Sequence, residues 1–354
     1  MKRRNFYKSI VAATIGLPFM SFSNALTTSR NMVNNNFPKK IIKPKRLKKG
    51  DTIGLVTPSS PITKGQLEKT IKNLEELGFK LKYNESHLLA EKGYLAGEDL
   101  LRATSVNRMF EDKTVDGIWC VRGGYGAGRI LPMLDYKMIK KNPKVLIGYS
   151  DITGLIQGIF LNTGLICFHG PAGASDFTDY TTRHVQNVIM TPSKEYTIEH
   201  LEEHETKEET LFHSTIIAKG KAKGRLIGGN LTLITSLMGT PYDIDMDKKL
   251  VFLEDIGEKP YRIDRMLTQM LLAGKFDKAR GVILGIFRGC EMKEGDKSLK
   301  LAETMNDRFG KLGIPVMYGY SFGHIKNQFT LPVGIKAKMD TETKTVTLLE
   351  EAVL

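Results

Sequence analysis

A chain of 354 residues, 41% hydrophobic and 26% charged, has the composition of an ordinary soluble globular protein and is long enough for two domains once a leader is set aside. The formal net charge is +13, but four of the positive charges, Lys2, Arg3, Arg4 and Lys8, fall in an N-terminal stretch that contains no acids. No arginine-rich run with interleaved aromatics appears, so nucleic acid is not an expected partner; the surplus fits solubility and attraction to an anionic environment such as a cell wall.

Residues 1–25, MKRRNFYKSIVAATIGLPFMSFSNA, combine a basic start, an apolar stretch from Ile10 to Phe22 and small residues at Ser23 and Ala25. This is the pattern of a cleavable export signal, and it places the mature protein in the periplasm or at the cell surface. The Arg3-Arg4 pair also resembles a twin-arginine signal. The apolar stretch is short and broken by Pro18, so no stable membrane insertion is expected after cleavage. Residues 26–46 are polar on average and read as a flexible lead-in.

From Asp51 the chain alternates strand and helix. DTIGLVTPSS is a strand and turn; a helix starts at Thr63 with Leu67, Ile71 and Leu74 on one stripe; FKLKYN is a strand; a helix covers Leu100 to Phe110; DGIWCVRGG and VLIG are further strands. The alternation predicts a doubly wound, mostly parallel sheet over residues 47–195. An acid-rich connector occupies 196–214. Residues 215–354 read as a second, mixed α/β domain: β-like pieces in TIIAKGKAKGRLIG, a helix from Asn230, the strand LVFLED, a helix from Tyr261 to Ala273, the strand GVILGIF and a closing β segment from Val333. Cys120, Cys167 and Cys290 are widely spaced without a CxxC pair, which argues for buried free thiols rather than a disulfide or zinc framework.

The chemistry begins at KVLIGYSDITGLI. A strand that stops at Gly148-Tyr149-Ser150-Asp151 and restarts as a helix projects Ser150 outward, where N–H groups of the turn and the helix start can stabilise an oxyanion. The match to G-x-S-x-G is partial, because Ile152 stands at the second glycine position. On these residues alone, Ser150 also reads as a turn serine and Asp151 as a helix N-cap. The glycines of VRGGYGAGRI do not satisfy dinucleotide spacing, since Arg129 occupies the last position; they offer exposed N–H groups, or simply a tight turn. A serine nucleophile needs a base and a group that orients the base. His200 and His204 sit in the charged connector, without the H-E-x-x-H order of a zinc site, and His87, His184 and His213 lie in polar surroundings. That leaves His169, in CFHGPAG, and His324, in YSFGHIKNQF. Glu254 and Asp255 end the strand LVFLED, suited to orienting a histidine or to capping a helix or pairing with an arginine.

Together RGGYGAGR, GYSDITGL, HGP, GGNLTLI, LEDIGEKPYRIDRML and the FGH loop, in that order, closely resemble the LD-carboxypeptidases, serine peptidases of bacterial cell-wall recycling related to microcin-C-resistance hydrolases. The resemblance runs from Leu47 to the C-terminus. It implies a flavodoxin-like N-terminal domain carrying the nucleophile Ser150, and a C-terminal domain with a small β-barrel-like sheet that supplies Glu254 and the general base His324. Glu258 is a competitor for the role of Glu254. The implied oxyanion donors are the backbone N–H groups of Asp151 and Gly124. The implied reaction needs no metal or cofactor and releases D-alanine from a murein tetrapeptide. Alternatives are another amide hydrolysed by the same triad, a peptide-nucleotide among them, or a catalytically silent peptidoglycan-binding protein. A carboxypeptidase must also hold a free carboxylate, for which Arg122 and Arg129 are available. Homodimerisation is a family-level expectation, and export departs from the cytoplasmic setting of wall-recycling relatives.

Overall fold

The segments TIGLV, GIWC and VLIG are apolar almost throughout rather than alternating, which suits strands covered on both faces, and they form the centre of a parallel sheet. The computed structural model describes residues 37–199, 201 and 214–354. Its first half runs β1 (Thr52–Val56), α1 (Lys64–Glu76), β2 (Lys80–Lys82), α2 (Glu85–Leu88), α3 (Asp99–Glu111), β3 (Gly117–Cys120), α4 (Ala127–Ile130), α5 (Tyr136–Lys141), β4 (Val145–Gly148), α6 (Ile152–Thr163), β5 (Phe168–His169) and α7 (Asp179–Ile189). The second half runs β6 (Tyr196–Glu199), β7 (Thr215–Ala218), β8 (Lys221–Asn230), α8 (Leu231–Ser236), β9 (Lys249–Ile256), α9 (Pro260–Leu272), β10 (Gly281–Arg288), α10 (Leu301–Phe309), β11 (Val316–Tyr318), β12 (Leu331–Pro332), β13 (Lys336–Asp340) and β14 (Thr345–Leu348). The expected export signal, with Arg3 and Arg4, lies outside the described residues, as do most of the connector and His200, His204 and His213.

Strands β2-β1-β3-β4-β5 lie parallel in that order, the flavodoxin-like arrangement. The edge beside β5 is covered by β12 from the far end of the chain, which pairs Leu331 with His169 and Pro332 with Phe168 in the antiparallel sense. Pro332 is tolerated there because an edge strand can spare an N–H. The second sheet has the order β6-β14-β13-β8-β9-β10-β11-β7. Its centre, β8 to β11, is parallel, and antiparallel strands flank it on both sides. Where the resemblance implied a small barrel-like sheet, this one has eight strands among the described residues and stays open over them, with β6 and β7 as separate edges.

Three local expectations change. Residues 37–46, read as a flexible lead-in, are docked: Ile42 bonds Gly164 and Ile166 through its backbone, and Phe37 packs edge-on against Phe160 at 5.4 Å. The polar average of this stretch concealed Phe37, Ile41 and Ile42, which pack against the core. Residues 196–199, placed in the connector, form β6 against β14. His184, read as sitting in polar surroundings, is buried on α7, with Nδ1 2.5 Å from the Tyr196 hydroxyl and its ring 4.3 Å from that of Tyr180. All three cysteines are free and buried, and burial pushes the Cys290 thiol up to about 12.

Burial also pushes His169 and His184 down to about 4. The unfolded chain takes up protons at both positions near pH 6.5, while the folded protein refuses them until about pH 4, so stability falls as pH drops through that window. Each histidine contributes on the order of 3 kcal/mol to the loss. The melting temperature is expected to drop between pH 7 and pH 4.5, and to drop less steeply in His184→Phe. An equal slope in the variant contradicts this assignment.

Candidate active site

The carboxyl ends of β1, β3 and β4 in the first sheet and of β8, β9 and β10 in the second carry the loops of interest, as expected for parallel α/β sheets. Ser150 follows β4 by two residues and adopts φ +64°, the left-handed region that costs a non-glycine residue roughly 1–2 kcal/mol. The strain comes from reversing a strand into α6 within three residues, and it presents the hydroxyl outward. The partial elbow motif has a steric reading. A Cβ on Gly148 would meet Ile152 at 3.0 Å, so the glycine before the serine makes room for the larger residue after it.

Three side chains distant in sequence meet at this turn. His324 Nε2 lies 3.0 Å from Ser150 Oγ, and His324 Nδ1 lies 2.8 Å from Glu254 Oε2. The Glu254 side chain is fully buried, and that of His324 is 13% exposed. Burial alone would raise the Glu254 carboxyl and lower the His324 imidazole. Their mutual attraction and hydrogen bond outweigh it, holding Glu254 below its ordinary value and His324 above its own. Tyr149 braces the imidazole edge-on at 4.9 Å. Glu254 approaches so closely that a Cβ on Gly323 would lie 2.9 Å from its Oε2, and Gly323 has φ +108°. Only glycine fits between the acid and the histidine.

The neighbouring candidates separate by direction along the chain. Asp255, on the opposite face of β9 from Glu254, accepts from Thr232 N at 3.0 Å, Thr232 Oγ1 at 2.8 Å and Asn230 Nδ2 at 3.2 Å. It anchors the start of α8, and burial with the adjacent Glu254 charge pushes its carboxyl up to about 6. Glu258 pairs with Arg262 at 3.3 Å. His169 is buried among Tyr149, Phe252 and Phe322, and neither ring nitrogen has a partner among the described residues. Arg129 is held by Asp99 through three hydrogen bonds, and Arg122 donates to Pro61 O at 3.1 Å.

Asp151 does more than its sequence position suggested. Its side chain makes no capping bond to α6; Oδ2 accepts from Ser59 Oγ at 2.6 Å and from Ala127 N at 2.7 Å. Its carboxyl is raised, chiefly by burial. Arg102, 1% exposed, works in parallel, donating to Pro58 O at 2.5 Å and Gly126 O at 2.8 Å. Asp151 thus ties the loops after β1 and β3 to the serine turn, and Arg102 holds the same two loops to each other from α3. Gly123 is the residue of the RGG turn that touches the elbow, since a Cβ there would lie 3.0 Å from Ser150 Cβ and 3.2 Å from Asp151 N. Gly124 follows at φ +113° against Ser60. Neither the Asp151 nor the Gly124 N–H has a backbone hydrogen-bond partner among the described residues. Sequence reasoning missed Arg102, Ser59 and the side-chain role of Asp151; the glycines of RGGYGAG were the available signal that a second segment closes on this turn.

Residues 53–170 match the model of the LD-carboxypeptidase N-terminal domain, and residues 223–339 that of the LD-carboxypeptidase C-terminal domain. A Bacillus subtilis (strain 168) protein named "Probable murein peptide carboxypeptidase" is 40% identical over 311 residues, covering 86% of this chain and 94% of the relative. The Escherichia coli microcin C7 self-immunity protein MccF is 30% identical over 330 residues, covering 85% and 94% of the two chains. A solved structure of MccF without ligand superimposes with a TM-score of 0.81 at 27% identity, covering 88% of this chain and all of that one. On this sequence and fold evidence the chain belongs to the LD-carboxypeptidase family.

Proposed function

We propose that this protein is a serine-type LD-carboxypeptidase that hydrolyses the L,D amide bond releasing the terminal D-alanine from murein tetrapeptides. The observation that carries the reading is the hydrogen-bonded line from Ser150 Oγ through His324 to the buried Glu254 in a member of this family. His324 takes the Ser150 proton as the oxygen attacks the carbonyl carbon, and the carbonyl oxygen becomes an oxyanion held by the Asp151 and Gly124 N–H groups. The C–N bond then breaks as protonated His324 donates its proton to the departing nitrogen. Water, activated by the same imidazole, cleaves the ester and restores the serine. The leader pattern supports export, with the enzyme trimming stem peptides in the periplasm or at the cell surface.

A second reading keeps the same triad and changes the amide. It is favoured by the 0.81 TM-score to MccF, and its substrate would be a peptide-nucleotide or another wall-derived amide. A silent wall-binding protein is the third. Purified protein incubated with murein tetrapeptide is expected to release D-alanine, and Ser150→Ala to lower kcat by about 10⁴-fold or more. Turnover of other amides alone favours the second reading, and binding without turnover the third. Undiminished activity in Ser150→Ala removes the mechanism.

The electrostatics supply a pH prediction. The attack needs neutral His324, whose raised pKa places the acid limb of kcat/KM above the ordinary histidine range, with activity rising as pH rises through it. Glu254→Gln removes the attraction that raises this pKa and leaves the burial that lowers it. The acid limb is therefore expected to move to lower pH while kcat falls about 10³–10⁴-fold. An acid limb that does not move means that another group titrates there.

A further inference from the structure

A peptidase confined to the last residue of a chain must hold that residue's free carboxylate, and the reading of Ser150 and His324 given above fixes where it lies. His324 Nε2 must reach the departing nitrogen, so the leaving residue sits on the histidine side of Ser150. Its carboxylate lies only two covalent bonds beyond that nitrogen. The glycine turn at 123–124 packs against the elbow itself, beside Ser150 Cβ and the Asp151 N–H, and against Ser60.

Four cations merit comparison by position and occupation. Arg129 has its guanidinium taken up by Asp99, and Arg122 belongs to the glycine turn, where it donates to Pro61 O. Lys259 lines a different groove, with Pro260, Tyr261 and Leu299, that includes none of Ser150, Glu254 and His324. Arg288 is different. It ends β10 beside the end of β9, two residues beyond Glu254, pairing in register with Ile256. Its Nη1 donates to the backbone oxygen of His324 at 3.1 Å, which sets the guanidinium against the segment carrying the imidazole. Its charge acts on both His324 and Tyr149, whose rings pack edge-on beside the serine turn. Among the described residues no carboxylate lies within ion-pair distance of Arg288, and its side chain is exposed. One of its five donors is used on His324 O, and the rest are available to a planar anion.

We propose that Arg288 receives the C-terminal α-carboxylate of the peptide substrate, so that the segment holding the general base also carries the group that selects a chain end. A bond from the guanidinium to His324 O makes the two functions one unit: docking the carboxylate on Arg288 brings the scissile nitrogen toward Nε2. A peptide that continues past this residue, or ends in a carboxamide, presents no charge there.

The test compares a murein tetrapeptide with its C-terminal carboxamide, using the full chain as wild type, Arg288→Gln, Arg288→Lys and Lys259→Gln. Wild type is expected to favour the acid by about 10- to 100-fold in kcat/KM, the range of a charge-assisted hydrogen bond. Arg288→Gln should lose that preference, lowering kcat/KM for the acid by about 10- to 100-fold more than for the amide, so that the ratio of the two approaches one. Arg288→Lys should retain part of it, and Lys259→Gln all of it. A preference that survives Arg288→Gln, or disappears in Lys259→Gln, overturns the proposal. Binding measured in the Ser150→Ala background keeps the test independent of turnover: acid and amide bound equally well also overturn it. Undiminished cleavage by Ser150→Ala instead removes the reading of Ser150, and the assignment of Arg288 with it.

Discussion

A serine on one sheet must stay within hydrogen-bond distance of an imidazole carried by a segment that runs between two sheets. The 3.0 Å contact between Ser150 and His324 is the constraint on which the remaining arrangement depends. The histidine segment is fixed at both ends. Before His324, Tyr320 N bonds Leu284 O at 3.1 Å and Ile286 N bonds Phe322 O at 3.1 Å, joining it to β10. After His324, Thr181 Oγ1 donates to Lys326 O at 2.9 Å and accepts from Gln328 N at 3.0 Å, and the chain then enters the first sheet as β12. A further bond, from Asn230 N to Thr153 Oγ1 at 3.0 Å, joins the end of β8 to the first turn of α6. Asn230 is paired in register with Glu254, so this bond indexes the acid against the serine turn.

The charges at the site are stabilised by geometry rather than by solvent. A fully buried carboxylate such as Glu254 is costly unless it is paired, and removing one member of such a pair usually costs more than the pair contributes. His324 supplies the pairing, and Gly323 permits its closeness. Farther out, Asp151 accepts from a hydroxyl and a backbone N–H of the loops after β1 and β3, and Arg102 donates to a backbone carbonyl of each as well as to Asp99. The strained backbone of Ser150 is held by these neighbours, which over-determine the turn.

Much of this arrangement was legible in the residues. Continuous apolar runs marked the central strands, and Thr63 marked the start of α1, where its hydroxyl and Gln66 form a reciprocal cap. Helix α7 was less visible, because DYTTRHVQNVI is rich in threonine, polar on average and contains a histidine that proves to be buried. The docked arm at 37–46 and strand β6 were obscured for a related reason: averaging over polar neighbours hides a few apolar side chains that find long-range partners. Ser150, Glu254 and His324 were identifiable through family motifs, but their approach to one another depends on register between sheets, which no local pattern encodes. Asp151 illustrates the limit. Its position marked a helix start, whereas its side chain serves loops 92 and 24 residues away.

The central claim is that the Ser150 oxygen becomes covalently bound to the acyl part of the substrate. Acid-quenched mass spectrometry of the protein during turnover of a murein tetrapeptide measures this directly. The account predicts a transient adduct with the mass of the substrate less one alanine, mapping to the proteolytic fragment that contains Ser150. An adduct on any other residue, or none at any quench time during turnover, would contradict it.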